Sequence, residues 1–274
     1  MENLFKAIQI QTLTGCNRSC KFCANSQVSS SFGEEMPDHI FDSIVQQLKK
    51  LKYAGRISPY LMNEPLLDKA LEYKIQKIKK AIPKAHIRIN TNGDLLGTKR
   101  FISLFNSGMD GIIIDCYDST KQFNAMLNLV KSGIKSVPDV ILQPKFNIRK
   151  TPIKKRFAQV YDCSNYEKDS PYLTNYAGHV QRDIGIKLPL KRSCFTVFEQ
   201  MFVNHKGDSV LCCQDWAFQV ILGNVAKDGL LAIWQGKILE DYRNKLSQAD
   251  RSQLVLCNNC DSRNEKDMKY RVEK

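Results

Sequence analysis

The chain begins with alternation. Residues 5–12, FKAIQIQT, place apolar and polar side chains in turn, the period-2 pattern of a strand with one buried face. From Pro37 the period lengthens. Ile40, Phe41, Ile44, Val45, Leu48 and Leu51 fall on one helical face. Proline suits a first turn, where its missing N–H would have no partner. A short strand over 58–62 (SPYLM) then leads into Asn63-Glu64-Pro65. A second helix carries Leu71, Ile75, Ile78 and Ile82 and stops before Pro83. HIRINT, 86–91, reads as a strand closed by an Asn92-Gly93 turn, and a third helix ends near Gly108. GIIIDC, 111–116, has the unbroken apolar run of a strand buried on both faces. A fourth helix carries Phe123, Met126, Leu127 and Val130 and ends near Gly133, before strand 139–143, DVILQ.

Strand and helix thus alternate at roughly 25-residue intervals, which implies parallel βα units. Four units are clear and a fifth and sixth are weaker. The expected class is α/β, with a partial (β/α)6 barrel rather than a complete one of eight units.

The pattern changes near residue 185. Residues 199–204 (EQMFVN), a turn at Lys206-Gly207-Asp208 and 209–213 (SVLCC) read as a hairpin. One amphipathic helix over about 229–247 follows, carrying Leu230, Ile233, Trp234, Ile238 and Tyr242. The tail from Asp261 is mostly charged and expected to fray. The organisation is therefore a barrel over 1–185 and a smaller region over 186–274.

Composition narrows the function. Of 274 residues, 43% are hydrophobic and 25% charged, an ordinary globular balance. The net charge of +13 favours anionic partners, or serves solubility alone. No stretch approaches 18 consecutive apolar residues, and MENLFKAIQIQ lacks the basic-then-apolar build of a secretory signal. A cytoplasmic location without membrane association is expected. Ten cysteines in a reducing compartment then point to metal or redox chemistry rather than disulfides.

Three of them form Cys16-x3-Cys20-x2-Cys23, with Phe22 before the last. The loop follows the first strand, at the C-terminal mouth of a parallel barrel, where active sites sit. Three thiolates on a four-iron cluster leave one iron open for chemistry. The competing reading is a zinc site completed by His39 or a distant cysteine.

Five cysteines lie late. Cys257-x2-Cys260 has metal-ligand spacing, and Cys194 and Cys212 bring the set to four, enough for a fully ligated four-iron cluster. Structural zinc is the alternative. Cys213 competes with Cys212, and strand alternation lets only one of the two face the cluster; Cys212 is the choice. Cys116 and Cys163 read as plain buried thiols.

The loop of Cys16, Cys20 and Cys23 after strand one, with its aromatic, resembles the radical S-adenosylmethionine (radical SAM) superfamily, and the likeness covers essentially the whole chain. That resemblance implies S-adenosylmethionine chelated by the open iron. Its one-electron cleavage would give a 5′-deoxyadenosyl radical that abstracts hydrogen from the substrate. Met62-Asn63-Glu64-Pro65 resembles the family's Gly-Gly-Glu-Pro motif in Glu64 and Pro65 but not in the glycines, so Glu64 is carried over as a contact to the cofactor's amino group. Thr91-Asn92-Gly93 resembles the family's turn after strand three, which places Asn92 at the cofactor. Phe22 goes with the cysteine loop. Asp115 stands where the family often contacts the cofactor's ribose; a strand-end cap is the plainer reading.

The late region resembles the SPASM/Twitch extension of these enzymes: Gly207, Cys212-Cys213-Gln214-Asp215, Leu222-Gly223-Asn224-Val225, Ile233-Trp234 and Cys257-x2-Cys260. The cysteines are too few for the full SPASM form, so the shorter Twitch form with one auxiliary [4Fe-4S] cluster is implied, two clusters in all. Tyr53-Ala54-Gly55-Arg56-Ile57-Ser58 and the late cysteine spacing resemble the Twitch-type aminocyclitol dehydrogenases, which oxidise a secondary alcohol to a ketone. Those enzymes carry Asn-Arg-Gly-Gly where this chain has Asn175-Tyr176-Ala177-Gly178. Tyrosine has one hydroxyl and no positive charge, so the alcohol contact differs. Tyr176 and His179 are the candidate catalytic residues, with a structural histidine as the plainer reading of His179.

The expected activity is oxidation of a sugar- or cyclitol-like alcohol, with a flavodoxin- or ferredoxin-like electron donor. The run 144–157, with Lys145, Arg149, Lys150, Lys154, Lys155 and Arg156, reads either as a solvated loop or as a mouth favouring an anionic small-molecule substrate. A peptide-modifying enzyme is the alternative. It usually carries an added peptide-recognition domain at the N-terminus, and this chain starts its barrel at about residue 5. A zinc-dependent nucleic-acid binder is more remote, because only Phe146 and Phe157 interleave with the basic run.

Overall fold

The computed structural model describes residues 4–28, 31–143, 156–165, 173–181 and 185–262. Nine strands form one sheet in the order β5-β6-β4-β3-β2-β1-β7-β8-β9. These are β1 (Ala7–Ile10), β2 (Arg56–Ser58), β3 (His86–Thr91), β4 (Gly111–Cys116), β5 (Val140–Leu142), β6 (Arg156–Asp162), β7 (Gln200–Val203), β8 (Asp208–Val210) and β9 (Ile221–Asn224). Every pairing from β5 across to β7 is parallel, whereas β7–β8 and β8–β9 are antiparallel. An α/β fold with a mostly parallel sheet is therefore what the chain forms.

Four helices follow their strands as the periodicity implies: α1 (Asp38–Lys50), α2 (Leu71–Ala81), α3 (Thr98–Asn106) and α4 (Thr120–Ile134). Helix α1 buries Ile40, Phe41, Ile44, Val45 and Leu48. At ~1.5–3 kcal/mol of gross burial energy per side chain, this face alone pins the helix to the sheet. On β1, Ile8 and Ile10 belong to the same core. Gly133 of α4 lets Phe101 of α3 approach so closely that a Cβ would come within 2.4 Å of the ring.

Four details differ from the sequence reading. Strand β2 covers 56–58 rather than 58–62, because Pro59 has no N–H for the ladder. The weak sixth unit is β6, and it inserts between β4 and β5, so spatial order departs from chain order. The single late helix is two, α6 (Leu230–Trp234) and α7 (Lys237–Ser247), broken at Gly236, whose ψ of 149° is extended; a short α5 (Thr196–Glu199) precedes β7. In the basic run, Arg156 opens β6 at the sheet end opposite the cysteine loop. It donates to the Met109 carbonyl (2.8 Å) and pairs with Asp139 (2.9 Å), so it does not serve a substrate mouth. Residues 144–155 and the tail 263–274 lie outside the described residues.

The boundary expected near 185 falls ahead of β7. That strand pairs in parallel with β1 over four residues, so the late hairpin extends the same sheet.

Candidate functional site

Strand β1 ends at Ile10, and the chain runs from it into the first cysteine loop. Gly15, with φ +97°, bridges in parallel to Asn63, and its carbonyl accepts from the Glu64 N–H at 3.0 Å. The loops after β1 and β2 are thereby stitched together. Cys23 N–H donates to the Cys20 carbonyl (3.0 Å), and the Ser26 hydroxyl lies 2.7 and 2.8 Å from the Cys20 and Cys23 carbonyls. At Cys16 the sulfur accepts from Arg18 N–H (3.4 Å), with Asn92 Nδ2 at 3.8 Å. Such donors favour thiolate over thiol. Burial works the other way and pushes the Cys23 thiol up to about 11. A metal that displaces the proton would resolve that opposition.

Glu64 is the junction of this end of the sheet. Its Oε1 accepts from the Thr91 hydroxyl (2.5 Å) and Leu66 N–H (3.0 Å), and its Oε2 from Asn92 N–H (3.0 Å). It is buried, and burial raises its carboxyl pKa despite these donors. A carboxylate has about four acceptor sites, and three are used. One remains for a cationic ligand. Asn92 continues the chain of contacts through Nδ2 to Asn17 Oδ1 (2.9 Å), and Asn17 donates to Asp94 (2.9 Å).

Arg18, inside the cysteine loop, is a fork between Asp94 (2.6 Å) and Asp118 (2.6 Å). The guanidinium holds the Asp118 carboxyl below its usual range. Phe22 packs on Tyr117 with centroids 5.3 Å apart, and Arg18 lies 6.0 Å over the same ring. The loops after β3 and β4 therefore clamp the cysteine loop. Asp115, on β4, accepts from Cys163 Sγ at 3.9 Å. Burial pushes both Cys163 and Cys116 thiols up to about 12, the state of unreactive packing residues.

The second site is a cavity lined by Cys194, Cys212, Cys213, Cys257 and Cys260, with Arg251 and Ser262 beside them. Gln214 N–H donates to Cys212 Sγ and Ser262 N–H to Cys260 Sγ, both at 3.4 Å. Cys212 and Cys213 lie beyond β8 in a turn, so strand alternation does not separate them, and both reach the cavity wall. Among the described residues, no group of three or more His, Cys, Asp or Glu converges as the ligands of a single ion would. A four-iron cluster asks for something else: each thiolate holds its own iron, so the sulfurs ring a volume. Five cysteines around one buried cavity, two with N–H donors on sulfur, fit such a group. His39, the alternative ligand for the first site, is exposed on α1.

The Asn175–His179 turn sits against this second site. Asn175 N–H donates to Asp261 (2.8 Å), and its amide to the Asn259 carbonyl (2.7 Å). Tyr176 packs edge-on to Trp216 at 5.9 Å. His179 Nε2 lies 3.4 Å from Gln219 Nε2.

A family model described as the Radical SAM superfamily matches residues 10–148. The chain belongs to the radical SAM superfamily. A second model, an iron–sulfur cluster-binding domain (SPASM), matches residues 194–261. S-adenosylmethionine and iron–sulfur clusters are therefore the cofactors of this radical SAM enzyme. The chain is 25% identical over 263 residues to the S-adenosyl-L-methionine-dependent 2-deoxy-scyllo-inosamine dehydrogenase of Niallia circulans, covering 96% of this chain and 95% of that one. Its fold superposes on a crystal structure of BtrN in complex with AdoMet and 2-DOIA, with TM-score 0.74, 24% identity, and 96% and 95% of the two chains covered. Native anSMEcpe with bound AdoMet shares the fold more distantly, at TM-score 0.55 and 13% identity over 88% and 83% of the chains.

In this radical SAM enzyme the structure gathers Cys16, Cys20, Cys23, Phe22, Glu64 and Asn92 at one end of the sheet. It gathers Cys194, Cys212, Cys257 and Cys260 around the late cavity, together with the Tyr176–His179 turn. Sequence reasoning missed the Arg18 fork, because Asp94 and Asp118 lie 76 and 100 residues away. It also missed Arg251, whose one signal was a basic residue a few positions ahead of Cys257. Among the described residues no helix is long and apolar enough to cross a membrane.

Proposed function

We propose that the enzyme oxidises a secondary alcohol of a cyclitol- or amino-sugar-like small molecule to a ketone. The observation that carries this is the likeness to the 2-deoxy-scyllo-inosamine dehydrogenase over 96% of this chain and 95% of that one. The late thiol cavity agrees with it. When bound, S-adenosylmethionine and its cluster supply a carbon radical that abstracts hydrogen. The chain's own residues do the rest. Cys16, Cys20 and Cys23 hold the cluster that binds S-adenosylmethionine, Glu64 offers its spare acceptor site to the cofactor's ammonium group, and the Arg18 fork keeps the loops closed on it.

The reaction also requires a proton to leave the hydroxyl. His179, held 3.4 Å from the Gln219 amide at this turn, is the candidate base for that proton. Tyr176 offers a neutral phenol where the dehydrogenases carry arginine, so the substrate hydroxyl is recognised by one hydrogen bond. Tyr176→Phe is expected to lower kcat/KM about three- to tenfold, the value of that bond. His179→Gln is expected to slow ketone formation while 5′-deoxyadenosine is still formed. Unchanged kinetics in both variants would remove this turn from the site.

Cys194, Cys212, Cys257 and Cys260 hold the auxiliary cluster, and Cys213 is the spare thiol. Cys212 is taken as the ligand, and the Gln214 N–H on its sulfur supports the thiolate form. Cys213→Ser is expected to retain about eight irons after anaerobic reconstitution, and Cys212→Ser to lose about four. The reverse result would exchange their roles.

The activity itself is tested with S-adenosylmethionine, reductant and 2-deoxy-scyllo-inosamine under anaerobic conditions. The expected result is a product two hydrogens lighter, formed one for one with 5′-deoxyadenosine. Cofactor cleavage at substrate-dependent rates with no change in product mass would replace oxidation by epimerisation.

A further inference from the structure

Arg251 is the largest fully buried side chain among the described residues, at 2% exposure. It lines the five-cysteine cavity. Its guanidinium donates to four backbone carbonyls: Nε to Arg192 (3.1 Å), Nη2 to Ser193 (3.4 Å), and Nη1 to Cys260 (3.4 Å) and Ser262 (3.3 Å). Two of these precede Cys194, and two belong to the segment that carries Cys260. The fork thus ties together the two chain segments that bring those cysteines to the cavity.

Among the described residues no ion pair accompanies it. Buried arginine stays charged, and its removal from water is costly unless a negative charge stands close by. Carbonyl dipoles satisfy the N–H groups but leave the net charge uncompensated. Another buried cation shows the contrast: Lys74 meets Asp68 at 2.7 Å, both being buried. Neither nearby buried acid forms an ion pair with it; both accept from backbone N–H groups. Asp215 accepts from Gln219 N–H (2.8 Å) and Val220 N–H (2.9 Å), and Asp261 from Asn175 N–H (2.8 Å). An anion filling the cavity would therefore stand directly beside Arg251, which lines it. A four-iron cluster ligated by four thiolates is such an anion.

We propose that Arg251 is the resident counter-cation of the auxiliary cluster, and that its charge raises the cluster's reduction potential. This rests on the reading that Cys194, Cys212, Cys257 and Cys260 hold that cluster. Reduction adds one negative charge to an already anionic group. A fixed cation beside it stabilises the reduced form more than the oxidised form. Removal of an electron from the substrate thereby becomes more favourable. Arg251 touches carbonyls rather than reacting atoms, so it is a positioning and tuning residue.

The test uses the full chain carrying Cys16→Ala/Cys20→Ala/Cys23→Ala, reconstituted anaerobically, so that a single cluster is read. Iron content and an EPR-monitored potential titration are compared for Arg251, Arg251→Lys and Arg251→Gln. About four irons in the Arg251 protein tests the cluster reading itself, independently of the arginine. Arg251→Gln is expected to shift the midpoint to a more negative value, and Arg251→Lys to stay near the Arg251 value. Loss of iron in the glutamine variant alone, with the lysine variant loaded at the Arg251 midpoint, also supports the proposal, since only charge distinguishes them there. An unchanged midpoint in loaded Arg251→Gln overturns it. So does an equal shift, or an equal loss of iron, in both variants, which would show that the fork to the carbonyls matters and the charge does not.

Discussion

Alanine at Cys16, Cys20 and Cys23 together is expected to abolish S-adenosylmethionine cleavage and to leave about four of about eight irons. The three thiols lie in a loop held from several sides: the Ser26 hydroxyl on the Cys20 and Cys23 carbonyls, the Gly15–Asn63 bridge, and the Arg18 fork to Asp94 and Asp118. None of those contacts uses a cysteine side chain, so the fold should survive the substitutions. Far-ultraviolet circular dichroism should match the parent while iron, sulfide and 5′-deoxyadenosine are measured in parallel. Eight irons retained in the triple variant would place the S-adenosylmethionine cluster elsewhere. Zinc without iron in the parent would end the radical mechanism.

Glu64→Ala is expected to cost both stability and cofactor binding. It leaves the Thr91 hydroxyl and the Leu66 and Asn92 N–H groups without their acceptor in a buried place. At ~1 kcal/mol or more per stranded donor, the loss is about 3 kcal/mol, or roughly 10 °C in Tm for a chain of this size. Glu64→Gln keeps the shape but turns one acceptor into a donor that faces a donor. It should lose about half as much stability and at least tenfold in S-adenosylmethionine affinity, because the carboxylate charge is gone. Calorimetry against isothermal titration separates the two effects. A Glu64→Gln protein that binds the cofactor as the parent does would make Glu64 a strap between the loops after β2 and β3 and nothing more.

Much of the fold was legible in the chain. Strands 86–91 and 111–116 appear with those bounds, because alternation and an unbroken apolar run are local consequences of burial. The face of α1 was readable for the same reason. Strand β6 was not. Its pairing lies with β4, more than forty residues earlier, and nothing local in RFAQVYD specifies that neighbour. The late helix looked continuous because Ile233, Trp234 and Ile238 keep helical spacing across a break that Gly236 makes.

The candidate site divides in a similar way. Thiolate chemistry is written in residue type and spacing, so Cys16, Cys20, Cys23, Cys257 and Cys260 stand out in the chain alone. Cys194 and Cys212 followed from counting. The choice between Cys212 and Cys213 could not be made by strand geometry, since the turn after β8 brings both to one cavity. Glu64 was marked as a cofactor contact, and the structure adds that three of its acceptor positions are occupied by the protein itself.

By itself the sequence determined the class of fold and the candidate thiolate ligands, because periodicity and ligand spacing are short-range properties of the chain, and its motifs carried the resemblance to the family. Only the tertiary structure decided the insertion of β6, the Arg18 clamp across three loops, the five-thiol cavity and the burial of Arg251 beside it. Each of these depends on groups tens to hundreds of residues apart, and their energies exist only once folding has removed water from between them.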